Sequence, residues 1–357
     1  MKNIWISDLD TMGPVEGVFL ISECSVGTAR DDAAFLRMKL QDKTGMIEGV
    51  KWSASARDQQ VAKAPAHVQI RGRLDMYNGN PQIKIDRISV PTEPCNPEDF
   101  LPLCARDRVE MQAELEQVVT TIKHPQVREL LQQLCGNTDL NAKFTMAPAA
   151  TTYHHAYLGG LLEHTLSVVR IAEFLCQHYP ELNRDLMLAG VILHDVGKTE
   201  ELDWDVCLRY NDQGQMLGHI TQGAMLVNKL IDAIPGFEPL WRTMITHIIL
   251  SHHGKLEFGS PKLPMFREAV MVNYIEDLDS KMQVMSKELN DRLSSGSSDN
   301  WTKKVFAMDG RYLFKGVPLS DGAIAMEDFP DAEGDTPPVK AKEIGGLFGD
   351  VEDPFDD

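Results

Sequence analysis

Leu186–Lys198 reads LMLAGVILHDVGK. The run Leu186–Leu193 is almost wholly apolar and then meets a His-Asp pair, Gly197 and Lys198. A helix apolar all round is a buried central helix, so the spacing predicts a helix over 184–198 inside an all-α domain. Aspartate is rarely buried unless it is paired or bound to metal. Asp195 can bridge two ions while His194 holds one. The plainer alternative is a buried His-Asp hydrogen bond with a salt bridge to Lys198. Outward from this stretch lie His164 in GLLEHTLSVV, His219 in LGHI, His252-His253 in LSHHG, and Glu276, Asp277 and Asp279 in NYIEDLDSK. Each lies in or beside a segment of helical period.

Neutral imidazole and carboxylate are the ligands that transition-type divalent ions prefer. Two such ions a few ångströms apart activate water and stabilise both oxygens of an in-line phosphoryl displacement. A lone helical histidine is usually core or surface. Four separate sites at ordinary helix spacing point instead to a two-metal hydrolase.

The flanking elements complete the α domain. Val109–Lys123, Gln126–Cys135, Gly160–His178, Gly218–Ile234, Leu240–His253 and Pro264–Leu293 carry helical period, and Asn141–Ala150 is ambiguous. Asp203–Gln215 reads as a small hairpin or loop, and Thr302–Gly316 as a short strand pair. Upstream the period changes to two. VEGVFLISECSVG, AAFLRMKLQD, GMIEGVKW, HVQIRGRLDMY and PQIKIDRISV are strands separated by turn residues, with a helical segment, SASARDQQVAKA, after the third. That order predicts an OB-fold barrel over 1–91, whose face binds oligonucleotides; an SH3-like or other small β-domain is the alternative. Four prolines in PTEPCNPEDFLP mark a linker over 92–105. The organisation expected is therefore multidomain: OB barrel, linker, all-α domain over 106–315, and a disordered acidic tail over 316–357. Within the tail, IGGLFGD at 344–350 is a candidate docking peptide for a protein partner, with a solvated tail as the plainer reading.

Composition bounds the function. The chain of 357 residues has a formal net charge of -18, which argues against a polyanionic partner. The imbalance is concentrated, however: from residue 321 onward about a dozen acids face two lysines. No apolar run reaches the ~18–20 residues of a membrane span. The charged N-terminus is unlike an export signal. Six cysteines without a C-x-x-C pair suit reduced thiols of a cytoplasmic protein.

The order H…HD…H…HH…acid resembles the HD superfamily of metal-dependent phosphohydrolases, with HDxGK intact as His194–Lys198. The string HHAYLGGLLEHT at 154–165, after a five-stranded module, resembles the YhaM-type 3′→5′ exoribonuclease family over roughly residues 1–315. The resemblance implies core metal ligands at His164, His194 and Asp195, and second-ion ligands at His219, His252 and His253. The closing acid falls on Glu276 where the family pattern carries aspartate. A one-residue shift would make it Asp277. Asp279 stands third, with a solvated helix surface as its alternative. It implies also that His154 and His155 line the entrance and touch substrate phosphates; helix-terminal polar residues are the alternative. Lys198 is placed to meet a phosphate oxygen as a point charge, and metal-bound water or His155 is a candidate to protonate the leaving group. Tyr157 is a candidate to stack on a base or to pack on the helix behind it. The resemblance favours manganese or cobalt; ligand chemistry admits iron, nickel and zinc and disfavours magnesium. On the barrel, Phe35, Arg37, Lys39, Lys51, Trp52, Tyr77 and Lys84 are candidate contacts for a single strand of RNA or DNA, with Trp52 and Tyr77 foremost. Three functions follow: a 3′→5′ exoribonuclease yielding nucleoside monophosphates, a phosphohydrolase of a small nucleotide or cyclic dinucleotide, and a non-catalytic nucleic-acid-binding adaptor. A homo-oligomer is left open.

Overall fold

A computed structural model of the chain describes residues 2, 4–9, 13–29, 32–136, 138–152, 155–294 and 300–316. The expected acidic tail, its 344–350 motif and His154 lie outside the described residues. Five strands, β1 (Pro14–Thr28), β2 (Ala34–Asp42), β3 (Gly45–Lys51), β4 (Ala66–Tyr77) and β5 (Asn80–Ser89), close a barrel in the order β1-β2-β3-β5-β4. Helix α1 (Ala56–Val61) lies between β3 and β4, opened by a capping box of Ser55 and Asp58. β3 pairs parallel with β5, and β1 closes antiparallel on β4. This is the OB order expected. Alternation sorts the side chains: on β2, Leu36, Met38 and Leu40 are buried, while Arg37 and Lys39 are exposed. Asn78 and Gly79 both take positive φ (51 and 81) and turn β4 into β5, as an Asn-Gly hairpin does.

Nine helices follow among the described residues: α2 (Arg108–Thr120), α3 (Pro125–Gly136), α4 (Thr138–Met146), α5 (Gly160–His178), α6 (Arg184–Leu193), α7 (Lys198–Glu201), α8 (Asp212–Asp232), α9 (Pro239–Ser251) and α10 (Arg267–Ser294). Of the ambiguous stretch 141–150, the part up to Met146 belongs to α4, and 147–150 follow it without regular structure. Helix α6 is buried from Asp185 to Leu193 and forms the centre of the core with α5, α9 and α10. Its charged first turn is satisfied: Asp185 accepts from the backbone N–H groups of Lys123 (2.9 Å) and His124 (2.6 Å).

Two expectations are corrected here. The helix predicted over 184–198 stops at Leu193, passes through tight turns at His194–Gly197 and restarts as the four-residue α7. Gly218, expected to open a helix, instead kinks α8 with φ 70 and ψ 157, immediately before His219.

The stretch expected as a loose linker is packed. Phe100 and Leu101 are buried against Leu20 of β1 and Leu158, with Trp204, Val206 and Leu208 beside them. Those last three belong to a hairpin of β6 (Leu202–Asp203) and β7 (Arg209–Tyr210). Met1–Leu313, barrel and helices together, form one unit. Val305 and Arg311 pair, and Val305, Met308 and Leu313 pack on Val284 of α10.

Candidate metal centre

The helix ends converge on one buried point. His164 projects from the first turns of α5, His194 and Asp195 from the end of α6, and Glu276 from mid-α10; none exceeds 5% exposure. His164 Nε2 lies 3.3 Å from His194 Nε2 and 2.8 Å from Glu276 Oε2. His194 Nε2 lies 3.4 Å from both Glu276 Oε2 and Asp195 Oδ2. A second group abuts it. His219 Nε2 lies 3.1 Å from His253 Nε2, and Asp195 Oδ1 lies 3.5 Å from His219 Nε2 and 3.6 Å from His252 Nε2. Asp195 thus turns one oxygen to each group.

The donor set fits divalent ions. Ligand atoms about 2.1 Å from one ion at near-tetrahedral or octahedral angles stand about 3.0–3.4 Å apart, and the separations found, 2.8 to 3.8 Å, bracket that range. Asp195 Oδ1 and His252 Nε2 are buried without a hydrogen-bond partner among the described residues, a costly state for polar atoms that a cation relieves. Burial alone would lower His164 and His194, yet Glu276 beside the first and Asp195 beside the second raise them to about 9 and about 10. In the ion-free protein, protons thus hold the place of a cation among these carboxylates. Burial and the neighbouring imidazoles push His252 well below its usual value and His253 down to about 4, leaving both neutral and able to donate a lone pair.

The rings are held from behind. His194 Nδ1 donates to Val191 O (2.9 Å) and His252 Nδ1 to Ile249 O (2.8 Å), each using a carbonyl left free at a helix end. His164 Nδ1 donates to Asp279 Oδ2 (2.8 Å), and Ser167 Oγ donates to the other Asp279 oxygen. Asp279 is therefore buried behind the site, and the solvated surface offered for it is overturned. Asp277 points elsewhere: it is exposed and pairs with Lys281 at 2.6 Å. Lys198 is buried with Nζ 2.6 Å from Asp195 Oδ2.

Gly197 in HDVGK has ordinary helical angles, φ -64 and ψ -18, so freedom to turn is not what it provides. A Cβ there would stand 2.0 Å from His219 O and 2.5 Å from Gly223 N. Glycine lets the HD turn touch the backbone of α8, and that contact brings His219 to Asp195.

His155 does not face outward. Its side chain is 1% exposed, with Nδ1 2.8 Å from Tyr157 Oη and 3.2 Å from Glu163 Oε2, and Nε2 3.5 Å from Asp279 Oδ2. Burial would lower it, but Asp279 and Glu163 raise it; His155 in turn holds Glu163 down at about 2. Tyr157 is half-buried with its hydroxyl on Glu163, which ties that ring to the site's support.

The helical part matches the model of the HD domain family over residues 161–281. The 3'-5' exoribonuclease YhaM of Geobacillus sp. (strain WCH70) is 34% identical over 315 residues, 88% of this chain and 94% of that protein. Those of Bacillus subtilis (strain 168) and Bacillus velezensis (FZB42) are 35% and 36% identical over 305 residues, covering 84% of this chain and 94% of each protein. This chain belongs to the YhaM family of 3′→5′ exoribonucleases.

As in the family's expected layout, a barrel precedes the HD domain, and its candidate contacts divide unevenly. Trp52 is 55% exposed with its ring centroid 4.9 Å from that of Phe35, and Arg37 faces outward on the neighbouring strand. Lys51 is mostly covered, donating to Asp86 O (3.1 Å); Lys84 is held by Asp75 and Lys39 by Glu23. Tyr77 is 54% exposed at the β4–β5 tip. By the Glu48↔Gln82 register it stands about six residues along the ladder from Trp52, roughly 20 Å. Trp52 and Tyr77 thus mark two ends of a face rather than one patch. The sequence reading missed Glu201, which is buried and accepts from His219. Its spacing of three from Lys198 and six from Asp195 was the available signal.

Proposed function

We propose that this YhaM-family chain is a metal-dependent 3′→5′ exoribonuclease that shortens single-stranded RNA, and single-stranded DNA where offered, to nucleoside monophosphates. The observation that carries the reading is the pair of abutting donor groups sharing Asp195, in one unit with an OB-type barrel. In this reading His164, His194, Asp195 and Glu276 hold one ion, and His219, His252, His253 and Asp195 the other. Manganese is the ion proposed, with cobalt, iron, nickel and zinc as competitors, because an imidazole-rich set disfavours magnesium. Bound ions would supply a nucleophilic water at neutral pH and Lewis-acid stabilisation of the phosphoryl oxygens.

The chain's own residues supply the rest. Asp195 sets the spacing of the two donor groups, and Lys198 fixes its Oδ2 and adds positive charge beside the phosphate. Asp279 and Ser167 orient His164. His155 is proposed to act behind the site, keeping Asp279 and Glu163 in place, rather than as the leaving-group acid. Trp52, Phe35 and Arg37, with Tyr77 at the far end, would hold the strand by stacking and charge. We place the strand-binding module at 1–91, the connection at 92–105, the hydrolase at 106–315 and the tail at 316–357. A reducing cytoplasm suits the six free thiols; among the described residues no helix is long and apolar enough to cross a membrane.

The test offers the manganese-loaded protein single-stranded RNA labelled at the 3′ or the 5′ end. Stepwise shortening from the 3′ end is expected. Intact oligomers alongside turnover of mononucleotides or cyclic dinucleotides would refute the exonuclease reading in favour of a small-nucleotide phosphohydrolase.

A further inference from the structure

We infer that Glu201 is a positioning residue for the second ion, acting through His219; this rests on the reading that His219, His252 and His253 hold that ion. The need for it arises from the backbone. His194 and His252 sit at helix ends, where the carbonyl three residues earlier is free to take the ring N–H. His219 follows the Gly218 kink, which interrupts the helix immediately before it. Its backbone N–H and its ring nitrogen therefore turn to a side chain rather than to an earlier carbonyl.

One carboxylate oxygen answers both. Glu201 Oε1 accepts from His219 N at 2.8 Å and lies 3.2 Å from His219 Nδ1. With the proton on Nδ1, the Nε2 lone pair faces His253 Nε2 and Asp195 Oδ1. Glu201 is 6% exposed and firmly seated. Asn211 N donates to its carbonyl at 3.1 Å. Gly214 lies so close that a Cβ there would stand 2.9 Å from Glu201 Cγ. On its other side the chain enters the β6–β7 hairpin, whose Trp204 packs into both the helical core and the cluster around Phe100. The carboxylate is therefore fixed by the same short α7 that carries Lys198, and it sets the ring that Asp195 meets.

The experiment titrates manganese into chelated, full-length wild type, Glu201→Ala and Glu201→Gln, reading free Mn(II) by electron paramagnetic resonance. Melting of the chelated proteins and RNA kinetics accompany it. Wild type is expected to take two ions. Glu201→Ala should take the first as wild type does and the second about 10–100-fold more weakly. Its kcat should fall at limiting manganese and recover at excess, with KM for RNA unchanged. Glu201→Gln keeps the acceptor and should recover most of the affinity. Unchanged affinity for both ions in Glu201→Ala overturns the inference while leaving the two-ion reading intact. Equal weakening of both ions, or a chelated variant that melts well below wild type, assigns Glu201 a merely structural role and also overturns it. A wild type that takes one ion overturns the two-ion reading and this inference with it.

Discussion

Glu276→Gln tests which acid closes the first ion's donor set. Glu276 Oε2 lies 2.8 Å from His164 Nε2 and 3.4 Å from His194 Nε2, in a side chain 7% exposed. Glutamine keeps the size and removes the charge. A unit charge pair at 4 Å and an effective dielectric near 20 is worth about 4 kcal/mol, or roughly three decades of affinity. A second effect opposes this. The same carboxylate helps hold His164 at about 9, so at pH 7.5 an incoming ion displaces a proton at a cost of about 2 kcal/mol, which the variant largely escapes. The net loss is then about 2 kcal/mol at least, or roughly 30-fold, and at most about 10³-fold. Manganese titration of the chelated protein measures it, with nuclease rate against free manganese as the second readout. Asp277→Asn is the control: its exposed pair with Lys281 is worth about 0.3–0.5 kcal/mol at most, so ion binding should not move. Wild-type affinity in Glu276→Gln, or loss of an ion in Asp277→Asn, would refute the assignment.

Three further outcomes are expected. Gly197→Ala drives a Cβ into the backbone of His219 and Gly223, so it should destabilise the fold by about 1–3 kcal/mol and weaken the second ion first; unchanged melting and metal content would count against the close-contact argument. Trp52→Ala should raise the dissociation constant for a single-stranded oligonucleotide by roughly tenfold, the low end of ~1–3 kcal/mol per stacked base because Phe35 remains, with kcat unchanged; fluorescence anisotropy reads it. His67, which packs on Phe100 at 4.5 Å between centroids, is held below its usual value by burial, with Nε2 unpartnered among the described residues. Its protonation therefore favours unfolding: stability is full above the ordinary histidine range near 6.5 and is lost as pH falls below it. His67→Phe should flatten the melting temperature between pH 6.5 and about 5, and an unchanged slope would remove His67 as the cause.

The barrel was legible because its elements carry their own short-range signals: alternation on β2, the Asn78-Gly79 turn, the helical segment after the third strand. The break between α6 and α7 was not. At the break Gly197 lies against the backbone of α8 at His219 and Gly223, and no local period records a contact made more than twenty residues later. The hairpin's Trp204 and the linker's Phe100 were hidden for the same reason: their burial depends on where the barrel meets the helices.

The metal centre shows where sequence reasoning could have gone further. His164, His194, Asp195, His219, His252 and His253 stood out because histidine and aspartate on apolar helices are costly without a ligand. Of the supporting acids, Glu201 did not stand out and Asp279 stood only third for the closing acid, since acids on helices usually face water. Yet the helical period already separates the three acids of α10. Residues three or four apart share a face and adjacent ones do not. Val272, Ile275, Glu276 and Asp279 fall on the buried face, while Asp277 is turned about 100° away from Glu276. A buried stripe that admits Glu276 must also admit Asp279 and exclude Asp277. Of two carboxylates on that stripe, Glu276 stands opposite His164 Nε2, where it could meet the proposed ion, and Asp279 stands opposite Nδ1, where it orients the ring.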